Sequence, residues 1–192
     1  MLEIMIQGRG GQGAQTAGNL LARTFFEIGR EVQSFATYGG ARRGTPVSSF
    51  IRVDDRPIRL RCDIERPDAI LCFDASLLAG KLLGCATADT LIVVNSAGPL
   101  APFEGSENYR LLPIDGLAVA RANGLGRIVN SALLGGFARA LGAPPIEALA
   151  ATIEAAAPVK KGENARACRA GFALADQLLQ ADPVAAPRRC TS

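Results

Sequence analysis

Short apolar runs alternate along the chain with longer stretches in which apolar residues recur every three or four positions, the pattern of strands interleaved with helices. Residues 2–7 form an apolar run of strand length, GRGGQG follows at 8–13, and residues 14–29 place Ala17, Leu20, Leu21 and Phe25 at helical spacing. Gly29 stands where a helix C-terminal glycine belongs, and residues 32–36 supply a second strand-length run, so the N-terminal part predicts a β-α-β unit. Residues 37–46 (TYGGARRGTP) are rich in glycine and carry two adjacent arginines, the composition of a loop. Residues 47–53 alternate, Asp54 and Asp55 mark a turn, and residues 56–61 continue with Ile58 and Leu60, which predicts a β-hairpin between the two halves of the fold.

The segments DAILCFD at 68–74 and TLIVVN at 90–95 are nearly continuous apolar runs, as expected of central parallel strands buried on both faces. Residues 75–83 between them have helical composition, and a shorter strand at 109–114 precedes a helix at 115–122. Beyond Asn123 only helices are predicted, at 131–141, 145–156 and 163–180, separated by Gly142, Pro144 and Pro158. The order implies an α/β fold: a Rossmann-like, doubly wound, mostly parallel sheet with an inserted β-hairpin and C-terminal helices. It occupies one domain over residues 1–181, and residues 182–192, with Pro183, Pro187, Arg188 and Arg189, form a tail without periodicity.

Composition narrows the chemistry. A chain of 192 residues with 48% hydrophobic content buries a full core, and a formal net charge of +3 is too weak a bias for a nucleic-acid surface. The N-terminus lacks the basic segment and long apolar core of a secretion signal, and no uncharged apolar run is long enough to span a bilayer, so the expectation is a soluble, cytoplasmic protein. Histidine is absent, which removes histidine triads, imidazole bases and histidine metal ligands. The five cysteines, Cys62, Cys72, Cys85, Cys168 and Cys190, never approach the CxxC spacing of a zinc or iron–sulfur site and read as reduced core thiols.

Gly8, Gly10 and Gly13 satisfy GxGxxG between a strand and a helix, where backbone N–H groups and a helix N-terminus can receive a phosphate. A tight turn that packs strand on helix, with Arg9 and Gln12 directed at a neighbouring chain, explains the same glycines. Dinucleotide sites also carry an acidic residue at the end of the second strand, and residues 32–38 contain none, which argues against NAD. Arg42 and Arg43 fit an anionic partner, whether carboxylate, phosphate or another subunit; a free-standing NADP-binding reductase, in which they hold a 2′-phosphate, is the alternative.

GRGGQG at 8–13, ARRGTPV at 41–47, RVDDRPIR at 52–59, PDAILCFDASLL at 67–78, NSALLGGFARALG at 130–142 and the segment from Lys160 to Asn164 occur in this order. Together they resemble the gamma subunit of pyruvate- and other 2-oxoacid:ferredoxin oxidoreductases over nearly the whole chain; Gly39, Gly40 and Ala41 depart from the acidic form common in that family's loop. The resemblance implies a complex in which alpha and beta subunits hold thiamine diphosphate with Mg2+, a ferredoxin-like delta subunit holds [4Fe-4S] clusters, and coenzyme A accepts the acyl group. It also implies a CoA-dependent oxidative decarboxylation of a 2-oxoacid such as pyruvate, 2-oxoglutarate, a branched-chain acid, phenylglyoxylate or indolepyruvate. Electrons would pass to ferredoxin or, through a flavin (FAD) subunit, to NAD. The implied role of this chain is architectural, with no catalytic residue and no metal ligand of its own. Gly8, Arg9, Gly10, Gly11, Gln12, Gly13, Arg42 and Arg43 are its candidate contacts to coenzyme A or to another subunit.

Overall fold

A computed structural model describes residues 1–38, 44–78, 81–98 and 109–181. Strand β1 (Leu2–Arg9) sends Ile4 and Ile6 to one face and Met5 to the other, and all three are buried, as alternation in a central strand requires. Helix α1 (Ala14–Glu27) lays Ala14, Ala17, Leu21 and Phe25 against the sheet at helical spacing. It ends in the paired bonds of a glycine C-cap: Arg30 N–H donates to Phe25 O, Gly29 N–H donates to Phe26 O, and Gly29 has φ 84°. Strand β2 (Glu31–Tyr38) follows, and then β3 (Pro46–Asp54).

Strands β4 (Ala69–Cys72), β5 (Leu91–Asn95) and β6 (Arg110–Ile114) complete one six-stranded sheet in the order β2-β3-β1-β4-β5-β6. Pairs β1/β4, β4/β5 and β5/β6 are parallel, whereas β3 runs antiparallel to both of its neighbours. The sheet is thus mostly parallel, as expected, with one reversed strand inserted beside β1.

The hairpin differs from the expectation. Its arms are β2 and β3, in register from Glu31↔Asp54 to Tyr38↔Val47. Residues 56–61 form no strand, because β1 and β2 already occupy both edges of β3 and Arg56, Arg59 and Arg61 point into solvent. This stretch instead runs as an irregular strap over the sheet, with Ile64 buried beneath it. Arg52 of β3, 1% exposed, holds the strap. Its guanidinium donates to Glu3 Oε1 (2.7 Å), Gln33 Oε1 (2.8 Å) and the backbone oxygen of Asp63 (3.2 Å), and it lies 5.7 Å from the Phe35 ring centre.

The opposite face carries most of the core. There α1, α4 (Asn130–Leu141), α5 (Ile146–Ala156) and α6 (Lys161–Ala181) bury residues such as Leu133, Phe137, Leu149, Ile153 and Cys168. The region expected to be helical at 75–83 divides into a 3-10 turn (Ala75–Leu77) and a short helix α2 (Lys81–Cys85). After β6, Asp115 caps α3 (Gly116–Ala122) by accepting from Ala118 N–H at 2.8 Å. Cys72 and Cys168 are core thiols as expected, and burial pushes them up to about 11 and about 12. Cys62 departs from that expectation because it sits on the exposed strap, and Cys190 lies outside the described residues.

Candidate functional site

Parallel strands deliver their C-terminal ends to one edge of the sheet. From β1 the chain passes by α1 towards β2 on one side, whereas β4 leads to β5 on the other, so the crevice between β1 and β4 is where the winding reverses. The glycine turn lies there, following β1 directly. Gly11 (φ 96°) and Gly13 (φ 87°) adopt the left-handed conformation that favours glycine, and Gly13 caps α1 without a side-chain hydrogen bond. The first helical bond, from Ala17 N–H to Gly13 O, leaves the N-terminal turn of α1 facing the crevice.

Much of the turn is committed to internal bonds. Gly10 N–H donates to Thr45 O at 2.9 Å, Gly44 N–H donates to Gly10 O at 3.3 Å, and Gln12 N–H donates to Arg9 O. The Gln12 side chain accepts from Arg9 N–H (2.7 Å) and donates to Asp74 Oδ2 (3.3 Å). Arg9 itself is paired with Asp74 (2.9 Å) and donates to Ser76 Oγ (2.8 Å). Arg9 and Gln12 therefore brace the turn within this chain, while the Arg9 side chain stays 39% exposed. Gly8 is closely enclosed as well, since a Cβ there would stand 3.1 Å from that of Phe73.

Asp74 is the clamp of this arrangement. Burial works to raise its carboxyl, but hydrogen bonds from Ser76, Arg9 and Gln12 outweigh that and hold it below the usual carboxylate range. A lowered folded-state value contributes stability that is present above the unfolded value and is lost as pH falls through the folded one. Replacing Asp74 with Ala is expected to cost about 1–3 kcal/mol, read from urea denaturation at neutral pH, and to flatten the acid side of the stability profile. An unchanged acid profile would show that another carboxylate governs it.

In front of the turn lies a cavity of about 540 Å³ lined by Gly11, Gln12, Gly13, Phe73, Asn95, Arg121, Arg127 and Asn130 among others. Asn95 fixes its floor by donating to Phe73 O (3.2 Å) and accepting from Gly116 N–H (3.1 Å). Asn130, the first residue of α4, donates to Gly13 O at 3.4 Å. Arg121 and Arg127 are exposed, and their guanidinium groups make no hydrogen bond or ion pair with any described residue. Charge, an open helix N-terminus and concavity together suit an anionic ligand.

Of the candidates from sequence, the structure brings Gly11, Gln12 and Gly13 to this cavity and places Gly8, Arg9 and Gly10 in the frame behind it. Arg42 and Arg43 lie outside the described residues. Sequence reasoning missed Asp74, Asn95, Arg121 and Arg127. Asp74 and Asn95 had a usable signal, since polar residues closing buried parallel strands stand at the ligand-binding edge. The arginines had none, because only the turn at 123–129 brings Arg127 back beside the last turn of α3.

The geometry also bears on the dinucleotide alternative. Because β3 is inserted, the end of β2 is two strand spacings from β1, roughly 9–10 Å, so it stands too far out to meet a ribose held at the glycine turn.

Comparison with known proteins adds the following. The family model described as pyruvate ferredoxin/flavodoxin oxidoreductase matches residues 3–174. Pyruvate synthase subunit PorC of Methanothermobacter marburgensis is 39% identical over 175 residues, covering 90% of this chain and 96% of its own. The pyruvate/ketoisovalerate oxidoreductases common subunit gamma of Pyrococcus abyssi is 36% identical over 179 residues, with the same coverage of 90% and 96%. The crystal structure of pyruvate oxidoreductase subunit PORC from Thermotoga maritima superposes with a TM-score of 0.76 at 30% identity, covering 90% of this chain and 96% of that one.

Proposed function

Because the chain belongs to the pyruvate ferredoxin/flavodoxin oxidoreductase family, we propose that it is the gamma subunit of a multi-subunit 2-oxoacid:acceptor oxidoreductase. The observation that carries this reading is coverage. The likeness spans 90% of this chain and 96% of relatives that are themselves named as subunits, so it joins whole units rather than a shared motif. In the proposed reaction the bond between the carboxyl carbon and the keto carbon breaks and CO2 leaves. The remaining acyl group joins the sulfur of coenzyme A, and two electrons pass to ferredoxin or through a flavin subunit to NAD.

Thiamine diphosphate with Mg2+ stabilises the carbanion of such a decarboxylation, and iron–sulfur clusters carry its electrons. The described residues of this chain do not fit those groups. Among the described residues no group of three or more His, Cys, Asp or Glu side chains is placed to hold a metal ion, and the buried thiols Cys72 and Cys168 are protonated at neutral pH. The cofactors therefore belong to alpha, beta and ferredoxin-like delta companions. No helix among the described residues is long and apolar enough to cross a membrane.

The chain's own contribution is to hold the assembly and to contact coenzyme A at the crevice, with Gly11, Gln12 and Gly13 offered to its phosphates on the frame that Gly8, Arg9, Gly10 and Asp74 maintain. Arg42 and Arg43 are proposed as further contacts of the same site. Co-expression with the companion chains tests the subunit role: the chain should co-purify in fixed stoichiometry with thiamine- and iron-containing polypeptides. Recovery of a stable lone monomer beside a complete, active complex would overturn it.

A further inference from the structure

From Arg56 to Arg66 the strap carries four arginines, Arg56, Arg59, Arg61 and Arg66, all of them exposed. Their guanidinium groups make no hydrogen bond or ion pair with any described residue. Elsewhere the chain pairs its arginines: Arg9, Arg23, Arg30, Arg52, Arg139 and Arg169 each stand within 3.1 Å of a carboxylate. The strap has carboxylates of its own, Asp63 and Glu65, yet both are exposed and neither pairs with the four. Among these charges stands Leu60, 43% exposed, although Ile58 is partly buried and Ile64 is buried. Leu60 packs in none of the hydrophobic clusters of the described residues. The backbone on which it stands is pinned to the sheet, because Gln33 Nε2 donates to Leu60 O at 2.8 Å and Arg52 Nη2 donates to Asp63 O at 3.2 Å.

We infer that the strap is a docking surface for an acidic face of a companion chain in the same complex, with Leu60 as its apolar anchor and the four arginines as its charged contacts. This rests on the proposal that the chain is a subunit. Interfaces between proteins are enriched in arginine and draw much of their energy from a few anchors that become desolvated on contact. A guanidinium group is weakly hydrated and forks onto a carboxylate, so it suits an ion pair that closes only when the partner arrives. Because Gln33 and Arg52 already hold the backbone, little conformational freedom remains to be lost on docking. A second copy of this chain would set arginine against arginine, which like-charge repulsion disfavours. Nucleic acid suits neither Leu60 nor a net charge of only +3.

Cys62 is an exposed thiol inside the patch, so it reports occupancy without any mutation. Alkylation by iodoacetamide, followed peptide by peptide by mass spectrometry, should modify Cys62 readily in the isolated chain and at least about tenfold more slowly in the complex purified after co-expression. The buried Cys72 and Cys168 serve as slow references in both samples. The variants R59A/R61A and, separately, L60D should each be incorporated at least about tenfold less well than tagged wild-type chain when the two compete for limiting companion chains, and R59A/R61A should show the shallower dependence on salt. All three positions are exposed, and circular dichroism checks that the isolated variants stay folded. A complex that assembles and turns over while Cys62 stays as reactive as in the isolated chain overturns the docking surface and leaves the subunit role standing. Variants that compete as well as the wild type overturn it too. Protection of Cys62 in a dimer of the isolated chain would assign the strap to a second copy and remove the companion as occupant. Recovery of a lone monomer beside a complete, active complex removes the subunit role, and this inference with it.

Discussion

An Arg52→Ala chain is expected to lose about 3–5 kcal/mol of stability, a large share of the roughly 5–15 kcal/mol that holds an ordinary domain folded. Arg52 is the largest fully buried side chain, and its charge is tolerated because the guanidinium satisfies Glu3, Gln33 and the backbone of Asp63 at once. Truncation leaves a carboxylate and an amide facing a cavity, and it unfastens the strap from the sheet. Urea denaturation with an unchanged slope should report the loss as a lower midpoint. Arg52→Met keeps the aliphatic packing and should cost less. A loss below about 1 kcal/mol for Arg52→Ala would mean that the network contributes orientation without stability.

Substituting Ala for Gly171 or Gly135 is the second large effect, expected at the upper end of the range of about 1–3 kcal/mol for overpacking. A Cβ at Gly135 would fall on the backbone oxygen of Cys168, and one at Gly171 would fall on that of Ala132, both well inside contact distance. Neither obstacle is a side chain that can rotate away, so α4 and α6 would have to separate along their whole seam, which is the most extensively packed helix pair in the fold. Gly84→Ala is the control. It lies in the short helix α2 with no described atom within 4 Å of the added carbon, so helix propensity should make the change neutral or stabilising by up to about 1 kcal/mol. Equal costs at Gly171 and Gly84 would contradict the steric account.

The alternation of apolar runs and helical spacing was sufficient for β1, α1, β4, β5 and the C-terminal helices, because in each the buried face repeats with the period of the element. It misled at 56–61, where Ile58 and Leu60 alternate with polar residues as a strand would, yet no sheet edge was available to receive them. Pairing is decided by neighbours far away in sequence, here β1 and β2, and local pattern does not encode which edges are free. The glycine turn was legible from GRGGQG, whereas its clamp was not. Arg9 meets Asp74 across 65 positions, and only the parallel register of β1 with β4 brings them together. The same holds for Arg121 and Arg127, which read as ordinary surface residues until the end of α3 and the start of α4 are folded against the crevice.

Among the described residues, four helices roof one face of the sheet, while a 3-10 turn, a five-residue helix and an irregular strap lie on the other. The two sides should therefore not breathe together. Backbone amides beneath the helices will exchange with solvent only on global unfolding, whereas those beneath the strap can be reached whenever Ile64 and the Arg52 anchor let go. The lightly covered side is where a protease or a deuteron first finds its way to β3.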